Sequence, residues 1–235
     1  MCKEHACFEQ NEEKKEVLVK KQILYKNIEE ARHNQKTFNE NSILCINLMS
    51  SAGSGKTTLL ESTIKALKEE INIAVIEGDL ETNNDANRVI KAGAKAYQIT
   101  TGQTCHLDAF MVEKALKHID LKQTNLLFIE NVGNLVCPAS YALGEHINVV
   151  LLSVTEGSDK PQKYPVMFRK ADVVVISKAD LAPHFDFNFD EAIKGCKDLN
   201  PNVKVIKLDA KNGTNLNEWL DFLRKEVKNV PLNTI

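Results

Sequence analysis

The sequence has no surplus of basic charge. Thirty lysines and arginines face 32 aspartates and glutamates, for a net charge of −2, so the electrostatic footprint of a nucleic-acid binder is missing. No apolar run is long enough to cross a bilayer, and residues 1–20 lack the apolar stretch of a secretory signal. No membrane partner is therefore expected, and the cytoplasm is the expected compartment. Internal repeats and low-complexity blocks are also missing. Six cysteines in 235 residues do not make a disulfide framework in a chain of this length. Reduced thiols are then buried apolar groups or metal ligands. Cys45, in an apolar run, and Cys196, in a helix-like stretch, read as structural. Cys2, Cys7, Cys105 and Cys137 remain as candidate ligands.

What is present is an alternation of two textures. Residues 1–10 carry no periodic pattern and read as a mobile tail. Over residues 11–39, Val17, Leu18, Leu24, Tyr25, Ile28 and Ala31 recur at helical spacing. This predicts an amphipathic helix packed on its own domain. Residues 40–235 read as one domain of a size that can bury a full core. Within it, strand-length apolar runs at 43–49, 73–76, 96–99, 126–129, 149–154, 173–176 and 203–208 alternate with helical segments such as 56–70 and 107–118. Runs that are apolar throughout suit strands buried on both faces, with the helices as crossovers. The expected fold is α/β: a doubly wound, mostly parallel seven-stranded sheet with an N-terminal helical extension.

The first strand leads into Ser50-Ser51-Ala52-Gly53-Ser54-Gly55-Lys56-Thr57-Thr58. Gly55, Lys56 and Thr57 complete the phosphate-loop pattern at a strand–helix junction, with Ser50 in place of the first glycine. Serine can keep that turn where φ is negative. Backbone N–H groups from Ala52 through Gly53, Ser54 and Gly55 to Lys56 would wrap the β-phosphate at a helix N-terminus. The Lys56 ammonium would bridge β- and γ-phosphate oxygens, and the Thr57 hydroxyl would ligate Mg²⁺.

Further along, Ser177-Lys178-Ala179-Asp180 is similar to the guanine-reading motif N-K-x-D. Guanine offers N1–H and N2–H₂ as adjacent donors, and Asp180 can accept from both. Adenine has no N1–H, so a buried Asp180 would be left unpaired, which discriminates strongly. The Lys178 stem would cover the base. Asp209-Ala210-Lys211 resembles the loop that backs guanine with main-chain N–H, with Asp209 for serine. Glu130-Asn131-Val132-Gly133 stands where D-x-x-G switches stand. Glu130 would reach Mg²⁺, and Gly133 would lend its N–H to the γ-phosphate. From Glu77-Gly78-Asp79, Asp79 is the first choice to approach Mg²⁺ and the attacking water, and Glu77 a weaker one; strand-end carboxylates also serve as helix caps. Asn134, not glutamine, follows the switch glycine, so hydrolysis is expected to be slow.

Two thiols and an imidazole, Cys105, His106 and Cys137, are suitable ligands for Ni²⁺ or Zn²⁺, although spacing alone does not bring them together. Cys2, His5 and Cys7 form a second Cys/His tract of the kind that recurs at metal sites.

Together, Ser50–Thr58, Glu77-Gly78-Asp79, the stretch from Thr100 to Asp108 containing Cys105-His106, the stretch from Glu130 to Pro138 containing Cys137, and Ser177-Lys178-Ala179-Asp180 resemble the hydrogenase nickel-incorporation GTPases, the HypB family. The resemblance spans about residues 40–228. It implies a dimerising P-loop GTPase that binds GTP and GDP with Mg²⁺. It also implies Ni²⁺ or Zn²⁺ on residues matching Cys105, His106 and Cys137 at a homodimer interface. Implied partners are a HypA-type nickel chaperone and the large subunit of a nickel–iron hydrogenase. Family members often carry an N-terminal Cys-x-x-Cys-Gly-Cys nickel motif. Here Cys2 and Cys7 match its outer cysteines, while His5 and Ala6 replace the middle cysteine and the glycine. Three other readings compete. A urease nickel GTPase would have Cys-Pro-His where this chain has Cys137-Pro138-Ala139. The others are a metal-binding scaffold that uses nucleotide as a conformational ligand, and a small-molecule kinase.

Overall fold

A computed structural model of the chain describes residues 3–81 and 84–230, without the side chains of 3–18 and 20. Residues 3–10, expected as part of a tail, belong instead to the first helix; Cys2 lies outside the described residues, and the side chains of His5 and Cys7 outside those described. The first helix, α1, is Lys3–Glu40. Seven strands follow: β1 Leu44–Ser50, β2 Ile73–Asp79, β3 Lys95–Thr100, β4 Leu126–Glu130, β5 Ile147–Ser153, β6 Val173–Ser177 and β7 Lys204–Lys207. The helices between and after them are α2 Lys56–Leu67, α3 Asn84–Ala92, α4 Ala109–Leu116, α5 Lys160–Lys163, α6 Pro165–Lys170, α7 Phe189–Leu199 and α8 Leu216–Asn229.

The strands form one sheet in the order β3-β2-β4-β1-β5-β6-β7, and each neighbouring pair is parallel. From central β1 the chain first winds to one side (β2, β3, β4) and then to the other (β5, β6, β7). That reversal opens a crevice at the carboxyl end of β1, where open α/β sheets bind ligands.

Every residue of β1, β4 and β6 is buried, because helices cover both faces. Leu44, Ile46 and Leu48 of β1 pack with Leu59, Leu60 and Ile64 of α2 and with Trp219 and Leu223 of α8. The alternate residues face the other layer: Cys45 packs with Phe38 of α1 and Val112 of α4, and Met49 with Phe168 of α6 and Cys196 of α7. Cys45 and Cys196 are thus buried apolar groups. The edge strands differ from the expectation of two buried faces. β3 has no fully buried residue and β7 has one, since each has a neighbour on one side only. α4 is shorter than the stretch 107–118 because Asp108 caps it, accepting from Met111 N at 2.8 Å. This leaves Leu107 to pack as a loop residue over Gly78, where a Cβ would lie 2.9 Å from the leucine side chain.

α1 is bound into the domain by asparagines. Asn34 Nδ2 donates to Ala109 O at 2.9 Å and to Leu143 O at 3.0 Å. Asn27 Nδ2 donates to Ala142 O and its Oδ1 accepts from Ala109 N, both at 2.8 Å. Gly144, at φ +100°, lies flush on the helix, where a Cβ would come within 2.6 Å of Ala31 O. Among the described residues, no helix is long and apolar enough to cross a membrane.

Removing the Asn34 amide would take a buried hydrogen bond from each of two carbonyls, Ala109 O and Leu143 O. Asn34→Ala should destabilise the protein by roughly 1–3 kcal/mol, read as a lower urea midpoint with an unchanged slope. A wild-type midpoint would mean that α1 contributes nothing to the domain's stability through this residue.

Candidate functional site

The carboxyl end of β1 turns into α2 through two glycines in the left-handed region, Gly53 at φ +74° and Gly55 at φ +96°. Side chains rarely adopt this backbone, which is why glycines stand here. Ser50 closes β1 and is absent from the positive-φ positions, so serine fits where the pattern has its first glycine. Its buried hydroxyl accepts from Lys56 Nζ at 3.0 Å. A cavity of about 440 Å³ spreads over this loop, lined also by Glu77, Asp79, Arg88, Glu130, Gly133 and Lys178. Gly133 sits against the loop backbone, where a Cβ would lie 2.7 Å from Ala52 Cα. A side chain there would push the switch segment off the phosphate loop.

On the cavity floor, Thr57 Oγ1 donates to Glu130 Oε1 at 2.8 Å. Carboxylate oxygens of Glu77, Asp85 and Glu130 lie within 4.8 Å of one another. Glu77 and Glu130 are 2% and 3% exposed, and Oε2 of each is buried with no hydrogen-bond partner. Burial pushes Glu77 up to about 8, with the charges of Glu130, Asp85 and Asp79 adding to it. Burial likewise pushes Glu130 to about 7 against the pull of Lys56 and the Thr57 bond. Hard oxygen donors left unpaired around a hydroxyl fit Mg²⁺. The structure brings Glu77 into this cluster, while Asp79 lines the same cavity with Oδ1 accepting from Leu80 N at 2.7 Å. Asp85 and Arg88 were not singled out from the sequence. Arg88 pairs with Asp85 at 3.0 Å and Glu61 at 2.7 Å, and donates to Thr58 Oγ1 at 3.2 Å. The i,i+3 spacing of Asp85 and Arg88 suggests a pair on one helix face, but nothing local to it points toward a cavity.

A second cavity of about 240 Å³ adjoins the first, lined by Lys178, Asp180, Leu181, Ala210 and Lys211 among others. Ser177 Oγ donates to Ser54 O at 2.7 Å, so serine at the motif's first position ties this strand end to the phosphate loop. Lys178 adopts φ +55°, and its Nζ donates to Gly53 O at 2.8 Å. Asp180 stands exposed on the cavity wall rather than buried, so only a base seated there would desolvate it. Asp209 accepts from Lys211 N at 2.9 Å and Asn212 N at 3.1 Å, so it shapes the Ala210–Lys211 loop.

Ligand atoms of Cys105, His106 and Cys137 converge to within 4.8 Å of one another. The tertiary structure thus joins residues 32 positions apart. All three are half-buried. The His106 ring stacks on Tyr141 at 3.9 Å between centroids. Burial lowers its pKa, which favours the neutral, ligating form. A hydrogen bond with Cys105 is the main cause holding the Cys137 thiol above its ordinary value. Two thiols and an imidazole at this spacing suit Ni²⁺ or Zn²⁺.

A family model described as "CobW/HypB/UreG, nucleotide-binding domain" matches residues 44–207. The hydrogenase maturation factor HypB of Azotobacter chroococcum is 47% identical over 89% of this chain and 69% of its own length. Two crystal structures are similar throughout. HypB from Helicobacter pylori in complex with nickel superposes with a TM-score of 0.83 at 42% identity, over 89% of this chain and 99% of that one. HypB from Archaeoglobus fulgidus superposes with a TM-score of 0.81 at 41% identity, over 86% and 99%.

The buried carboxylates dictate a pH dependence. Their folded pKa values of about 8 and 7 lie above the ordinary 4.5, so without a cation the folded state holds more protons than the unfolded chain across that window. Their contribution to stability is present at low pH and is lost as pH rises toward 8. Melting temperature in EDTA should fall over this range, and Mg²⁺ should flatten the fall. Glu77→Gln should make it shallower. A Glu77→Gln protein with the wild-type slope would count against this assignment.

Proposed function

The chain belongs to the HypB hydrogenase maturation factors of the CobW/HypB/UreG family, and on that premise we propose that it is a GTP-hydrolysing nickel metallochaperone that assists nickel insertion into a nickel–iron hydrogenase. One observation carries the reading. The segment that begins at Glu130, bonded to Thr57, ends at Cys137, beside Cys105 and His106. Nucleotide and metal are thereby read by the two ends of one short loop.

The residues divide the work. Backbone N–H groups from Ala52, Gly53, Ser54 and Gly55 to Lys56 cradle the β-phosphate, and Thr58 continues the cradle into α2. The Lys56 ammonium neutralises charge shared by the β- and γ-phosphates. Thr57, Glu130 and Asp79, together with Glu77 and Asp85, would hold Mg²⁺, which supplies further neutralisation of phosphate charge. Gly133 offers its N–H to the γ-phosphate, and Asp79 orients the attacking water. Asp180 accepts from guanine N1–H and N2–H₂, Lys178 covers the base, and Ala210 and Lys211 back it. Asn134 stands where a water-orienting glutamine would follow the switch glycine, so intrinsic hydrolysis is slow. Two copies meet across the nucleotide face as a homodimer in the cytoplasm, with Cys105, His106 and Cys137 taking Ni²⁺ or Zn²⁺. Nickel is cargo, exchanged with a HypA-type chaperone and delivered toward the hydrogenase large subunit. Cys2, His5 and Cys7 are a further nickel-binding set at the N-terminus.

GTP orders the Glu130–Cys137 loop and hydrolysis loosens it, so nickel and GTP must change each other's affinity by one common factor, ordinarily about 5- to 150-fold. Nickel titrations with GDP and then with a non-hydrolysable GTP analogue should differ by such a factor, and sedimentation should report dimer formation with the analogue. Cys137→Ala should lose tight nickel binding. Equal nickel affinity in the two nucleotide states rejects the coupling. In parallel, Lys56→Ala should abolish multiple-turnover phosphate release. If the wild type itself releases no phosphate beyond one turnover, the protein is a nucleotide-dependent scaffold.

A further inference from the structure

Both ends of the Cys105–His106 pair are held by side-chain amides from the nucleotide-side loop. Asn131, directly after Glu130, is 1% exposed, and its Oδ1 accepts from Leu107 N at 3.2 Å and from Val132 N at 3.0 Å. Asn134, directly after Gly133, donates from Nδ2 to Cys105 O at 3.4 Å, while its Oδ1 accepts from Val136 N at 2.8 Å. One amide therefore holds the backbone just before His106 and the other the backbone just after it. Asn131 is also anchored beneath the phosphate loop. Its N–H donates to Leu48 O at 2.9 Å, and its Nδ2 donates to Asn47 Oδ1 at 3.3 Å, with Asn47 donating on to Asn148 Oδ1 at 3.2 Å. It lines the nucleotide cavity as well.

We infer that Asn131 and Asn134 are positioning residues that carry the state of the nucleotide to Cys105 and His106, so that both arms of the metal site, and not only Cys137, move with the loop. This rests on the nucleotide-coupled metal reading above. The physical ground is satisfaction. Asn131 is buried with both amide ends engaged, and the Leu107 N–H it accepts is buried too. A shift of the loop must carry Leu107 with it or leave its buried N–H unpaired, which is costly. Leu107 cannot slip independently toward the sheet, because its side chain already abuts Gly78. Gly78 adjoins Asp79 on the cavity wall, so the Cys–His segment is pinned between two segments that line the nucleotide site.

The quantity to measure is the ratio of nickel dissociation constants with GDP and with a non-hydrolysable GTP analogue. It is followed by thiolate-to-nickel charge-transfer absorption in the full chain. A residue that only props up the metal site would weaken nickel equally in both states and leave the ratio alone. Asn131→Ala and Asn134→Ala should each move the ratio toward one, by about 2- to 30-fold for residues along a coupling route. A wild-type ratio in both variants overturns the inference while leaving the coupled metal site intact. A ratio of one in the wild type overturns both. If Asn131→Ala does not fold, Asn134→Ala, half-buried and outside the buried amide row, decides alone: a reduced ratio supports the inference and an unchanged one rejects it.

Discussion

Burying negative charge beneath the phosphate loop is the constraint around which the rest of the site is arranged. Glu77 and Glu130 occupy neighbouring, register-paired positions on β2 and β4, almost wholly out of water, with Asp85 closing the third side. Carboxylates resist this placement, and here burial holds them near neutrality. Lys56 and the Thr57 hydroxyl offset part of the cost. A divalent cation arriving with nucleotide would offset the remainder. Glu130, bonded to Thr57, also begins the segment that ends at Cys137.

The base end of the crevice answers a different demand, that of holding a glycine-rich loop in one shape. Lys178 takes a left-handed backbone that costs a non-glycine residue roughly 1–2 kcal/mol, and its ammonium returns a hydrogen bond to Gly53 O. Ser177 adds a second bond to the same loop through Ser54 O. A serine can fill this role because what is needed there is one donor over a short reach. Asp209 in its turn fastens the Ala210–Lys211 loop on the wall of the second cavity. Ser177 and Asp209, where the usual motifs have other residues, thus supply hydrogen bonds that brace the phosphate loop and the Ala210–Lys211 loop.

Much of this was legible in sequence order. Strand-length apolar runs can be read one residue at a time, because burial on both faces writes itself into composition. The phosphate loop is legible for the same reason: its chemistry is carried by adjacent residues. Contributions from separate elements were harder to see. Asp85 sits on α3 with an ordinary surface-like pairing to Arg88, and only the crossover from β2 delivers it to Glu77. Asn131 reads as one letter of a switch motif, yet its bonding to Leu107, 24 positions away, is invisible without the fold.

Residue order alone determined that this chain makes a parallel α/β sheet with a phosphate-binding turn after its first strand, since periodicity and local backbone demands are local properties. It also offered Cys105, His106 and Cys137, and a second tract of Cys2, His5 and Cys7, as candidate metal ligands. Whether Cys105, His106 and Cys137 meet, which carboxylates share the floor beneath Lys56, and how the two sites are tied together were decided by tertiary structure. Each depends on strands brought side by side from distant parts of the chain, and that proximity is set by burying their common apolar faces.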